Sequence, residues 1–248
     1  MTLPHDDIGS GPAVLLLHAG VADRRMWHVQ SAACAAAGMR AVAPDLRGFG
    51  ESPLPGAPFS HVDDLGHLLD DLGIETASVV GASFGGYLAQ ELAARSPQRV
   101  SSLVLLCPAT VLLEPDDALK AFGEEERTLL ESGNLDAATE LNVRTWTGPD
   151  ADEAARALVR QMQRRAFELQ LAGPDSERDD GESDPRDITA PTLVVSGDHD
   201  LAAFRDAARR LAERVEDGRL VRLEWAGHLP SLERPAETAA FVIDALSH

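Results

Sequence analysis

The sequence predicts an α/β fold, a mostly parallel sheet flanked by helices, with an all-helical insertion near the middle of the chain. Three observations carry this. Short apolar runs alternate with amphipathic segments up to Leu106, and the alternation resumes at Thr192. The runs are continuously apolar, as in Ala13-Val14-Leu15-Leu16-Leu17, which suits strands covered on both faces by helices. Between residues 110 and 189 the strands stop and three helical segments take their place. The expected division is a core of residues 1–109 and 190–248, with a helical cap at 110–189.

Residues 1–12 are polar and turn-rich, ending Gly9-Ser10-Gly11-Pro12. A strand over 13–17 runs into His18-Ala19-Gly20. A helix is expected over 28–37 and a strand over 41–43, leading into the turn-rich loop 44–52. A helix near 61–72 precedes the strand 77–80, and a further helix reaches Arg95, closed by Pro97. Val100 to Leu106 is the next strand. In the insertion, helices are expected over 116–132, from an Asn134 cap to Trp146, and from an Asp150 cap to Ala172. Leu158, Met162, Ala166 and Leu169 recur at helical spacing in the third and form its apolar face. A polar run from Asp175 to Asp187 returns to the core. The core closes with a strand over 192–195, a helix over 202–215, a strand over 220–225 and a helix from Ala236.

Composition narrows the function. The 248 residues, 44% of them hydrophobic, can bury a sizeable core. No apolar run is long enough to span a bilayer, and the N-terminus lacks the basic and apolar regions of a signal peptide, so a cytoplasmic location is expected. Net charge is −19, which argues against nucleic acid and anionic membranes as partners. Cys34 and Cys107 both lie in apolar segments and read as buried free thiols. No Cys/His cluster has metal-ligand spacing, so neither a metal nor a cofactor is expected. The partner left is a small-molecule substrate.

The stretch with the most chemistry is Gly81-Ala82-Ser83-Phe84-Gly85, followed by Gly86. It sits between an apolar strand and a helix, the context in which G-x-S-x-G forms a tight turn with its serine exposed at the sheet edge. A serine hydroxyl is a poor nucleophile at neutral pH and needs a base, and the base needs an orienting carboxylate. In an open parallel sheet, groups at the carboxyl ends of the strands converge. His228 follows one strand, and Asp198 and Asp200 follow another. In an extended segment the two aspartates point the same way, so the pleat leaves both open.

With these residues in hand, the chain resembles the α/β-hydrolase fold superfamily, serine-nucleophile branch with a small helical cap. Leu16-Leu17-His18-Ala19-Gly20, the segment Asp45 to Ser52, Gly81 to Gly86, Gly197-Asp198-His199-Asp200 and Gly227-His228 follow its pattern in order over nearly the whole length. The resemblance implies Ser83 as nucleophile, His228 as base, Asp200 as acid, and an oxyanion hole from the backbone N–H of Gly20 and Phe84. It also implies that the first strand of the full fold is missing. His18 reads as structural, Asp45 and Arg47 as braces of a loop, and His199 as solvated. A serine at 83 excludes the aspartate-dependent dehalogenases and epoxide hydrolases.

The expected activity is hydrolysis of a small carboxylic ester or lactone through an acyl-enzyme. The alternatives are carbon–carbon bond hydrolysis of ring-cleavage products, a cofactor-free lyase or perhydrolase, and a ligand sensor with slow turnover. The cap should fold over Ser83, with Trp146, Met162 and Phe167 lining an acyl pocket beside Leu158 and Leu169. From Glu114 to Asp187 there are twenty acidic and nine basic residues, a net of −11. Such a cap should disfavour anionic substrates, unless Arg144, Arg164 or Arg165 pairs a substrate carboxylate.

Overall fold

The computed structural model describes residues 2–247; Met1 and His248, the outermost residues of the expected core, lie outside it. The chain runs β1 (His5–Gly9), β2 (Ala13–Leu17), α1 (His28–Ala36), β3 (Arg40–Pro44), α2 (His61–Asp71), β4 (Ala77–Ala82), α3 (Phe84–Arg95) and β5 (Val100–Leu106). Three helices follow without a strand, α4 (Asp117–Glu131), α5 (Leu135–Trp146) and α6 (Glu153–Ala172). The chain then completes β6 (Thr192–Gly197), α7 (Ala202–Arg214), β7 (Gly218–Leu223), α8 (Pro230–Glu233) and α9 (Pro235–Leu246).

The described strands form one seven-stranded sheet in the order β1-β3-β2-β4-β5-β6-β7. All neighbours are parallel except β1, which pairs antiparallel with β3 from His5↔Pro44 to Gly9↔Arg40. Alternate residues of the inner strands feed two cores. Leu15, Leu17, Val79 and Leu103 meet Leu65 of α2, Leu88 of α3 and Leu211 of α7. Val14, Leu16, Val80 and Val104 meet Cys34 of α1 and Val242 of α9. Burial on both faces is why these strands read as unbroken apolar runs.

Two differences from the sequence reading have plain causes. The segment read as turns contains β1. It is an edge strand, half-buried to exposed along its length, so it carries charge instead of an apolar stripe. Its acids are held by arginine: Asp7 by Arg40 at 2.8 and 3.0 Å, and Asp6 by Arg24 at 3.1 Å. The cap of α6 is Asp152, whose Oδ1 accepts from the Ala155 amide at 2.8 Å. Asp150, two residues earlier, instead accepts from Arg234 Nε at 2.7 Å.

The apolar face of α6 is also turned from the one expected. Val159, Met162, Gln163, Ala166 and Phe167 are buried, whereas Leu158 and Leu169 are only half-buried. The polar run that returns to the core is anchored to it. Asp180 is buried and accepts from the His61 amide at 2.6 Å, and Glu91 accepts from the Ser183 amide and hydroxyl at 2.9 and 2.7 Å.

Candidate active site

Ser83 stands between β4 and α3 at φ 49° and ψ −113°, a left-handed conformation that a non-glycine residue adopts at a cost. The neighbouring glycines make the turn possible by close approach. A Cβ on Gly81 would lie 2.4 Å from the Gly85 carbonyl oxygen, and one on Gly85 would lie 2.2 Å from that of Leu17. The Ser83 amide donates to the Leu106 carbonyl at 3.0 Å, and its own carbonyl accepts from Tyr87 and Ala109. The backbone is thus fixed, while the hydroxyl bonds to no other described residue.

Phe84 is the first residue of α3, so its N–H has no intrahelical acceptor. The Gly20 N–H likewise has none among the described residues. A Cβ built on Gly20 would lie 3.6 Å from that of Phe84, so the two residues adjoin, and both line the same cavity. His18 holds the Gly20 loop. It is fully buried, with Nδ1 donating to the Ala19 carbonyl at 2.9 Å and Nε2 accepting from the Leu46 amide at 3.0 Å. Burial holds its pKa below the ordinary histidine value.

His228 Nδ1 lies 2.8 Å from Asp200 Oδ2, with both side chains buried. The Leu201 amide donates to the other oxygen, Asp200 Oδ1, at 2.7 Å. Asp198 faces elsewhere, forming a forked pair with Arg222 at 2.9 Å on each arm. His199 is exposed. The His228 ring packs against two aromatic neighbours that also touch each other, with centroids 4.6 Å from Trp146 and 4.5 Å from Phe204.

One residue of this region, Glu233, was not singled out from the sequence, and another, Cys107, reads there only as a buried free thiol. Glu233 of α8 is buried and clamps the backbone on either side of His228: Oε2 accepts from the Gly227 amide at 2.8 Å and Oε1 from Leu229 at 3.0 Å. Burial raises its pKa, against those hydrogen bonds. Its place five residues after the histidine, at the end of a one-turn helix, was the available signal. Cys107 lies at the end of β5 with φ 46°. Its Sγ and the ligand-type atoms of Asp200 and His228 fall within 4.8 Å of one another. Burial raises the thiol's pKa well above the usual range, and Sγ–H donates to the Gly227 carbonyl at 3.4 Å.

A cavity of about 740 Å³ opens over these groups, the size of a small-molecule site. Gly20, Ser83, Phe84 and His228 line it from the core, and Phe122, Trp146, Gln163 and Phe167 from the insertion. Of the three expected pocket residues, Trp146 and Phe167 are on the wall. Met162 is not. It is fully buried in the packing between insertion and core, on the side of α6 next to Val159. Arg144, Arg164 and Arg165 do not reach the cavity either. They serve Glu125, Asp136 with Glu168, and the Gly50 carbonyl. The arginines on the wall are Arg47, forked onto Asp64 at 2.5 and 2.7 Å, and Arg178, 3.3 Å from Asp180.

A sheet of this order, a strained serine at the strand–helix turn and a buried histidine–carboxylate pair define the class. A family model described as alpha/beta hydrolase fold matches residues 12–235, and the chain belongs to that family. The putative non-heme bromoperoxidase BpoC of Mycobacterium tuberculosis is 30% identical, over 95% of this chain and 94% of its own. The 2-hydroxymuconate semialdehyde hydrolase of Pseudomonas sp. strain CF600 is 29% identical, over 97% and 89%. Among solved structures, a thermophilic esterase from Thermogutta terrifontis superposes with a TM-score of 0.78 at 26% identity, over 99% of this chain and 93% of the other.

Proposed function

We propose that this enzyme is a serine hydrolase of small, neutral carboxylic esters or lactones. The observation that carries the reading is the 2.8 Å bond from His228 to Asp200, buried beneath a cavity that Ser83 shares. Ser83 Oγ attacks the carbonyl carbon, and His228 Nε2 takes its proton. Asp200 fixes the tautomer, because Nδ1–H points at its carboxylate. The carbonyl electrons move onto oxygen, which the Gly20 and Phe84 amides receive; each such donor is worth about 3–4 kcal/mol in comparable sites. His228 returns the proton to the leaving alcohol. Water, deprotonated by the same nitrogen, then cleaves the acyl-enzyme and frees Ser83. Residues 110–189 act as the cap that shields these steps from bulk water.

Charge at the wall supports a neutral substrate. Arg47 and Arg178 each sit against a protein carboxylate, and Glu126 adds a negative charge to the lining. No arginine of the wall is left without an anion among the described residues. A second reading, hydrolysis of a carbon–carbon bond beside a carboxylate, draws on the relative named for a semialdehyde of muconate. The same triad could serve it, but it asks for a cation free to meet the carboxylate.

The test follows from the pair that carries the reading. Asp200→Asn should lower kcat on a neutral ester by several orders of magnitude with the fold intact. A loss on the order of 10⁴ is the measured value for the equivalent change in a serine protease. Asp198→Asn, which breaks a surface pair, should leave kcat within about twofold. A reversed ranking would overturn the assignment of the acid.

A further inference from the structure

Gln163 occupies a place in α6 where helical spacing calls for an apolar side chain. It lies in the buried stripe with Val159, Met162, Ala166 and Phe167, and is itself 3% exposed. Its side chain lines the cavity above Ser83. Its Oε1 is buried with no hydrogen-bond partner, and its Nε2 bonds to no other described residue. Exchanging the two amide atoms changes nothing, since neither end is paired.

The contrast with the rest of the wall is what makes this informative. Asn142 donates to Glu126 and to the Ala138 carbonyl, and accepts from Trp146 Nε1 at 3.0 Å. Gln170 donates to the Gly48 carbonyl at 3.2 Å, and His61 lies 3.1 Å from Asp180. Arg47 and Arg178 have their carboxylates. Of the buried polar side chains on the cavity wall, Gln163 is the one that forms no hydrogen bond to another described residue. Buried polar groups are as a rule satisfied, and a methionine or leucine at 163 would continue the stripe without the penalty.

We infer that Gln163 is a specificity-determining residue, and that the substrate carries a group with both a donor and an acceptor, such as a secondary amide, which completes the Gln163 carboxamide on binding. An amide N–H would satisfy Oε1 and its carbonyl would accept from Nε2. The inference rests on the hydrolase reading above and narrows it, from neutral esters in general to esters with an uncharged polar group in the chain.

The experiment compares chain-matched ethyl esters. N-acetylglycine, N-acetyl-β-alanine and N-acetyl-4-aminobutyrate esters are set against pentanoate, hexanoate and heptanoate esters. Gln163→Met should lower the ratio of kcat/KM between the best amide-bearing ester and its alkanoate partner by about ten- to a hundredfold, the loss expected when a built hydrogen-bonding site goes unfilled. Gln163→Leu should do the same, and it serves if the methionine variant does not fold. Equal losses on both members of a pair, or no loss on either, overturn the inference. Should the wild type hydrolyse none of these esters, the hydrolase reading fails. Recognition is then decided by calorimetric binding of the same pairs to Ser83→Ala. Tighter binding of the amide member, abolished by adding Gln163→Met, sustains it, and equal affinities overturn it.

Discussion

His18 uses both ring nitrogens inside the core, one to give a hydrogen bond to Ala19 and one to accept from Leu46. Only the neutral ring can do both. A second proton would set an N–H against the Leu46 N–H in a fully buried site. Its folded pKa is therefore below its unfolded one, and the sign of the pH effect follows. The unfolded chain takes up a proton as pH falls through about 6.5 and the folded chain does not, so acid favours unfolding. The contribution is present above that pH and is lost at up to about 1.4 kcal/mol per pH unit below it. Urea unfolding between pH 8 and 5 should show this fall in the wild type. The fall should be shallower by that slope in His18→Asn. Parallel curves for the two proteins would show that His18 carries no such linkage. Since the same ring holds the loop of Gly20, His18→Asn should also lower hydrolase activity.

At the scale of elements, what was legible in the sequence was what is local. The turn at Ser83 is dictated by glycines at positions 81 and 85, which must be glycine because backbone atoms come within 2.4 Å of where a Cβ would be. Those residues are close in sequence and the pattern could be read directly. The choice of Asp200 over Asp198 rests on family resemblance; in the fold Asp200 lies against His228, whereas Asp198 pairs with Arg222 of the neighbouring strand β7. The strand β1 was missed because an edge held by Arg24 and Arg40 needs no apolar pattern. The clamp of Glu233 and the anchoring of Asp180 under α2 depend on partners brought together by the fold, which spacing does not reveal. The start of α6 gives a prediction at this scale. Asp152→Ala removes the hydrogen bond to the Ala155 amide and should cost about 1 kcal/mol, seen as a lower urea midpoint. Asp150→Ala removes a partly exposed ion pair with Arg234 and should cost less, within about 0–1 kcal/mol. The opposite order would return the cap to Asp150.

For the molecule as a whole, the net charge of −19 sets a field that an anionic substrate must cross, and the segment 114–187 carries −11 of it. Most of the arginines that could offset this locally are committed to neighbouring acids, those of the cavity wall included. No helix among the described residues is long and apolar enough to cross a membrane. A neutral ester should show kcat/KM nearly independent of ionic strength. Its carboxylated analogue should be poorer at low salt and should recover as salt is added, because screening shortens the reach of the field to about 8 Å at physiological ionic strength. Preference for the anion, strongest at low salt, would favour the carboxylate-bearing substrates of the second reading. Covalent bond formation by Ser83 is tested most directly by trapping. A fluorophosphonate should label the wild type once per chain, with the adduct on the peptide that contains Ser83, and should abolish ester hydrolysis in proportion. Folded Ser83→Ala should be neither labelled nor active. Labelling or full turnover in that variant would contradict the assignment of Ser83 as the nucleophile.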